Sequence, residues 1–230
     1  AFRRRAREEL AGAALEAARY VPPPADMIGA CLSDLELFIH QDCDIPPLLR
    51  VGMIHYQFEA IHPFLDGNGR VGRLIITLLL VAWKLLSQPV LYLSDFIEAN
   101  RQEYYDRLLA VSRRSEWEEW LIFFLDGVHN QADDASRRII LLQEIRSQYQ
   151  ARLSGVRSRD KLERVGDYLI GKPITSITQA QADLSMGSFT TIQRYFKKLE
   201  SLNIIKELTG KNRNRMYCAE QIFNIIKERR

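Results

Sequence analysis

The feature that most constrains this chain is an apolar run from Leu74 to Trp83, placed just downstream of a glycine-bearing break. A bilayer-spanning helix needs about twenty apolar residues, so this run is too short to cross a membrane and reads as a buried helix. That helix opens near Asn68 and is stopped near Leu86, ahead of Gln88-Pro89. Upstream, Val51, Ile54, Phe58 and Ile61 recur at helical spacing between Leu48 and Ile61. Two helices are therefore joined by a short loop around His62 to Gly67. Further helices are predicted over Met27–Phe38, after the extended Val21-Pro22-Pro23-Pro24 block, and from an N-cap at Ser94-Asp95 to about Val111. Trp117 to about Tyr149 predicts one or two long helices, with Gly127 as a break. The fold class is mainly α.

Composition, 47% hydrophobic and 27% charged, is ordinary for a globular protein with a real core. Cys31, Cys43 and Cys218 are odd in number and lack metal-ligand spacing, so neither a disulfide framework nor a zinc site is predicted, and a cytoplasmic setting fits them. Ala1-Phe2-Arg3-Arg4-Arg5 is basic, but Glu8, Glu9 and Glu16 follow and no apolar stretch of a signal peptide appears. The first residue is not methionine, from which we expect either processing or a start partway through a longer protein.

Charge divides unevenly. Residues 151–230 hold 16 Lys and Arg against 8 Asp and Glu, a balance of +8. Residues 1–150 hold 16 against 21, a balance of −5, and the two give the overall +3. Such asymmetry predicts two modules with different partners. The composition also shifts around Ser154-Gly155, which places a domain over 1–150 and a second over 156–230. In the second, helices are predicted over Lys161–Ile170, Gln179–Leu184 and Ser188–Leu202. Ile204–Leu208 and Arg213–Tyr217 then read as a β-hairpin around Thr209-Gly210-Lys211-Asn212.

The chemistry concentrates between His62 and Arg73. Gly67, Asn68 and Gly69 sit where a helix begins, and free N–H groups at such a start attract anions. Arg70 and Arg73, three residues apart, share a helix face and suit phosphate oxygens. Asp66 offers a hard oxygen ligand for Mg²⁺. His62 can accept a proton near neutral pH. Each piece alone is most simply structural, a turn or a solvated face; together they point to attack at a nucleotide phosphorus. His40, His55 and His129 have no partner pattern, and Trp83, Trp117 and Trp120 read as core or contact residues.

The stretch His62-Pro63-Phe64-Leu65-Asp66-Gly67-Asn68-Gly69-Arg70-Val71-Gly72-Arg73 resembles the Fic signature H-x-F-x-[D/E]-G-N-G-R-x-x-R at every fixed position. The lead-in His55–Ile61, the exit Arg73–Ile76, Leu91–Ser94, Tyr104-Tyr105 and Trp117–Leu121 are similar to Fic cores too, so the resemblance covers roughly residues 1–150. It implies a protein adenylyltransferase that moves AMP from ATP to a Tyr, Ser or Thr hydroxyl of a target protein, with Mg²⁺ as cofactor. By the resemblance His62 is the general base and Asp66 the metal ligand. Gly67, Asn68 and Gly69 form the anion hole, with Gly72 in the nucleotide-binding stretch, and Arg70 and Arg73 grip the β and γ phosphates. Tyr105, with Tyr104 and Asn100 as further candidates, lines the adenine side. Phe64 anchors the loop in the core.

The family's flap, a β-hairpin that docks the target as an added strand, corresponds to residues 1–24. Ala6–Ala17, however, favours helix over strand. The family's inhibitory pattern [S/T]-x-x-x-E-[G/N] is absent, since no Glu here is followed by Gly or Asn. We expect that brake upstream or on a separate partner. The second module resembles a winged helix, a helix-turn-helix variant. In its DNA-binding form Thr190, Thr191, Gln193, Arg194, Lys197 and Lys198 face the major groove, while Gly210, Lys211, Asn212, Arg213 and Arg215 form the wing. A docking or homodimer role is the plainer reading of that module. Other readings are self-modification, transfer of a different phosphate-bearing group, AMP removal, and a DNA-binding regulator with a nucleotide-sensing site.

Overall fold

A computed structural model describes residues 20–211 and 213–227. The flap reading falls mostly on residues 1–19, and Asn212 of the wing is likewise outside the described residues. The chain divides into two compact units between Ala135 and Ser136.

The first unit is built of α1 (Ile28–His40), α2 (Pro47–Ile61), α3 (Asn68–Ala82), α4 (Leu93–Ala99), α5 (Arg101–Arg114) and the first part of α6 (Trp117–Arg152). α2 packs along α3, with α1 and α5 also against α2. Val51, Ile54, Phe58 and Ile61 of α2 and Ile76, Leu79 and Leu80 of α3 form the core with Trp120 and Phe124. Gly52 allows α6 to approach, since a Cβ there would sit 2.9 Å from Phe124 Cδ1, and the Trp120 indole N–H donates to the Gly52 carbonyl at 3.1 Å. The buried indole is thereby satisfied.

Three expectations need correction here. α3 ends at Ala82, short of Leu86, because Lys84 adopts φ +60° and Leu86 N–H turns back to the Leu80 carbonyl at 2.9 Å. This satisfies a last-turn carbonyl and closes the helix. The helix expected from Ser94 to Val111 is two helices, parted at Asn100, and Tyr92 rather than Ser94 stands at the first N-cap. Gly127 does not break α6; its missing Cβ makes room for the Phe96 ring, which would lie 2.7 Å from that atom.

The second unit holds the end of α6, then α7 (Arg159–Gly171), β1 (Ile174–Ser176), α8 (Ile177–Leu184), α9 (Phe189–Ser201), β2 (Lys206–Glu207), β3 (Met216–Cys218) and α10 (Glu220–Lys227). Composition changes near Ser154-Gly155, yet the division falls earlier. The reason is that Ile145, Tyr149 and Leu153 bury in the second core, with Leu162, Leu169, Ile192, Phe196 and Tyr217. Ser176 and Ser188 cap α8 and α9, accepting from Gln179 N–H and Thr191 N–H. The expected hairpin is present as β2 and β3, paired antiparallel with Glu207 opposite Tyr217. β3 also pairs with β1, giving the order β1-β3-β2. Two elements have no counterpart in the sequence reading. β1 is three residues long, and its signal lies only in the partner it meets. α10 is marked by apolar Ile222 and Ile225, at a spacing too brief to stand out. Among the described residues no helix is long and apolar enough to cross a membrane.

Candidate active site

His62 terminates α2 in the left-handed conformation, φ 49° and ψ 58°, with its N–H on the Phe58 carbonyl at 3.0 Å. The chain then turns through Pro63–Asp66 to Gly67, whose φ of +88° is a glycine conformation. The turn is clamped by Asn68. Its side chain, 2% exposed, accepts from Phe64 N–H and donates to the Phe64 carbonyl, both at 2.8 Å. The Asn68 amide is thus spent on the loop, and what it presents outward is its backbone. Phe64 itself is 37% exposed and touches Phe58 only at a ring separation of 6.4 Å. The core anchor expected of Phe64 belongs instead to Asn68 and to buried Pro63.

α3 starts without a side-chain cap, and the first N–H to turn back onto Gly67 is that of Val71, at 3.0 Å from the Gly67 carbonyl. The amides of Asn68, Gly69 and Arg70 precede that bond and lie at the positive end of the helix. Both arginines fold down on this start. A Cβ on Gly67 would lie 3.3 Å from Arg70 Nη2, and one on Gly69 would lie 3.1 Å from Arg73 Nη1. The two glycines therefore make the space that the guanidiniums occupy. Arg70 pairs with Asp66 at 3.2 Å, in a highly exposed ion pair (side chains 74% and 92% exposed) that contributes little and exchanges readily. Asp66 also accepts from Gly67 N–H at 2.6 Å. Arg73 Nε donates to Ser94 Oγ at 3.0 Å, which explains why Ser94 does not cap α4.

Behind α3 lies a buried polar cluster that the motif does not announce. Glu59, one turn before His62, brings Oε1 to within 2.3 Å of where a Gly72 Cβ would be, and the His55 ring lies 3.1–3.2 Å from the same point. Glu59 Oε1 has no hydrogen-bond partner among the described residues, and His55 Nδ1 faces the Gly72 backbone. Burial pushes the Glu59 carboxyl up to about 7, against a smaller opposing pull from Arg73. Burial likewise lowers His55 to about 4, so it is neutral, with Nε2 2.9 Å from the Tyr104 hydroxyl. Tyr104 is pushed well up by burial and then by the Glu59 charge. Only glycine fits at position 72.

On the other side of Glu59 is a cavity of about 350 Å³, lined by His62, Glu59, Tyr56, Tyr105, Leu108 and Ser112 among others. Tyr20 helps to close it, its hydroxyl donating to the Ala60 carbonyl at 2.8 Å. Tyr105 lines this cavity beside Leu108 and Leu109. Tyr104 is buried behind it, and Asn100 donates to the Phe96 carbonyl at the end of α4, so neither lines the cavity. Glu59 and Ser94 are the residues that sequence reasoning missed. Glu59 had a signal, its i−3 spacing from His62; Ser94 was marked only within the Leu91–Ser94 resemblance and as a cap, and its bond to Arg73, 21 residues away, had no local sign.

A helix-start amide cluster flanked by two folded-down guanidiniums concentrates hydrogen-bond donors and positive charge of the kind that suits an anion, with a histidine and an apolar cavity beside it. Residues 1–80 match the model of the Fic/DOC family. That Fic/DOC match runs through the whole of the loop and most of α3. A probable protein adenylyltransferase from Aquifex aeolicus is 30% identical over 98 residues, 43% of this chain and 31% of that protein. The protein adenylyltransferase fic-1 from Caenorhabditis elegans is 31% identical over 65 residues, 27% and 13% of the two chains. The protein adenylyltransferase Fic from Culex quinquefasciatus is 28% identical over 116 residues, 50% and 22%. The matches span less than a third of the length of each relative. A crystal structure of a Fic family protein from Desulfovibrio desulfuricans G20 aligns with a TM-score of 0.47 at 21% identity, over 86% of this chain and 56% of that one.

Proposed function

We propose that this chain transfers the AMP group of ATP to a hydroxyl on a protein. The observation that carries the reading is the pair of guanidiniums lying against Gly67 and Gly69 at the open amides of α3, beside the cavity that His62 and Tyr105 share. The names of the adenylyltransferase relatives agree with it.

The triphosphate lies on the amides of Asn68, Gly69 and Arg70, and Arg70 leaves Asp66 for phosphate oxygens, an exchange of one charge-assisted contact for another. Arg73 is held by Ser94 and approaches from the same helix face. The nucleoside occupies the cavity against Tyr105 and Leu108. Asp66 suits Mg²⁺, which binds through one or two carboxylates with phosphate oxygens and water completing its shell. Asp66 is such a single exposed carboxylate at the edge of the cradle. Mg²⁺ there supplies positive charge to the phosphates.

The acceptor hydroxyl attacks the α phosphorus and gives its proton to His62. A new bond forms between phosphorus and the protein oxygen, the α–β phosphoanhydride bond breaks, and pyrophosphate leaves with the electron pair. The chain contributes placement and charge stabilisation. Incubation with Mg²⁺ and ATP followed by intact mass spectrometry tests the reading: the chain itself, or a target added to it, gains one adenylyl group. A wild-type protein that binds ATP but adds nothing to itself or to any target in a cell extract contradicts it.

A further inference from the structure

In the transfer step Glu59 has no task, although it stands inside the site. It lies one turn before His62 on α2, and among the residues that line the cavity it alone carries a carboxyl. Other polar groups of the wall are already engaged. The hydroxyls of Tyr56 and Ser112 are bonded to each other at 2.9 Å, and that of Tyr20 donates to the Ala60 carbonyl at 2.8 Å. Glu59 differs from these. Its Oε1 is enclosed against Gly72 with no hydrogen-bond partner among the described residues, which leaves Oε2 as the oxygen turned to the cavity. Arg73 acts on this carboxyl only through its charge, and less strongly than burial does.

The carboxyl also stands at the junction of the two halves of the site. Oε1 lies 4.0 Å from where a Gly69 Cβ would be, hard by the open amides of α3. The same side chain lines the cavity with Tyr105 and Leu108. A nucleotide whose phosphates rest on those amides and whose base packs on Tyr105 carries its sugar between them, past Glu59. A sugar hydroxyl brought into a largely apolar cavity gives up its bonds to water and needs an acceptor there. Glu59 is placed to supply one.

We propose that Glu59 recognises the sugar of the nucleotide, accepting a hydrogen bond from a ribose hydroxyl and so distinguishing ATP from its deoxy analogues. This inference rests on the nucleotide reading of the site and deepens it. An acidic side chain does the same for a ribose in dinucleotide-binding folds. Protonated or ionised, a carboxyl keeps an oxygen that accepts, so a group that burial pushes up to about 7 serves in either form. The competing role for Glu59 is a purely electrostatic one, as a charge behind Arg73. Acting through Arg73, it would bear on the phosphates, which ATP and its deoxy analogues share. It would then tell none of them apart.

The test is calorimetric titration of the full chain with ATP, 2′-deoxy-ATP and 3′-deoxy-ATP in the presence of Mg²⁺, which reads affinity and needs no transfer. Wild type should bind at least one deoxy analogue roughly ten- to a hundredfold more weakly than ATP, the size of one hydrogen bond to a charged group. Glu59→Leu keeps the bulk and removes both oxygens, and it should bring the ratio to about one. Glu59→Gln keeps one accepting oxygen and should leave a ratio between those two, both variants remaining folded by circular dichroism. Equal binding of all three nucleotides by wild type would overturn the proposal while leaving the nucleotide reading in place. So would a ratio that survives in Glu59→Leu, or a Glu59→Leu that weakens all three nucleotides alike. Absence of ATP binding altogether would sink the nucleotide reading and this proposal with it.

Discussion

The two cationic surfaces of this protein differ in how their charges are held. At the start of α3 Arg73 is held by Ser94, Arg70 rests in an exposed pair with Asp66, and both guanidiniums lie close against Gly67 and Gly69. On α9 and the β2–β3 loop the cations stand outward, and what is braced is the backbone beneath them. Tied side chains fix a few points in space, which suits a small ligand whose reacting atom must be placed to a fraction of an ångström. Outward chains on a rigid support leave their charge spread over a surface and fix no single point. Both follow from helices with apolar stripes; the difference lies in what the polar face is bonded to.

The largest expected effect is at His62. His62→Ala should lower transfer about 10²–10⁴-fold while leaving ATP affinity unchanged, as read by mass spectrometry and calorimetry. A loss of ATP affinity as large as the loss of transfer would make the histidine a structural part of the cradle. Next is Asn68→Ala, which removes both bonds to the Phe64 backbone. Losing two bonds to part-buried backbone groups should cost roughly 1–2 kcal/mol in urea unfolding. Transfer should fall with it, because the loop that carries His62 and Asp66 loses its clamp.

Much of this cradle was readable from residues alone, since its parts are close in sequence and each has a local reason: a glycine for the left-handed turn, two arginines three apart, a histidine at a helix end. What could not be read depends on distant partners. Ser94 gives up its N-cap role because Arg73 lies above it. Gly127 does not break α6 because Phe96 fills the space beside it. Phe64 is not the anchor because Asn68, four residues on, can reach its backbone. In the second unit, Ser176 and Ser188 act as the caps their type suggests, whereas β1 exists only through its pairing with β3.

A third prediction concerns pH. The Glu59 carboxyl lies at about 7, above its ordinary 4.5, so the folded protein keeps it protonated where the unfolded chain ionises it. Stability present below pH 4.5 is therefore lost as pH rises to about 7, by at most roughly 3 kcal/mol. Glu59→Gln should remove that loss and melt at a higher temperature than wild type at pH 8, with little difference at pH 4.5. Identical melting of the two proteins at both values would show that Glu59 is solvated. The smallest effect is expected at Ser94→Ala, which frees Arg73 without removing its charge and should raise the KM for ATP a few-fold, roughly the 0.5–1.5 kcal/mol of one hydrogen bond, with kcat nearly unchanged.

The claim on which the enzymatic account stands is that nucleotide phosphates rest on the first amides of α3. Titrating ATP with Mg²⁺ into ¹⁵N-labelled protein and following the backbone amide resonances tests it directly. The account predicts that Gly67, Asn68, Gly69 and Arg70 shift most, while Gly171 and Gly210 of the second unit stay in place. Shifts confined to the second unit, or none at the start of α3 at saturating ATP, would contradict it.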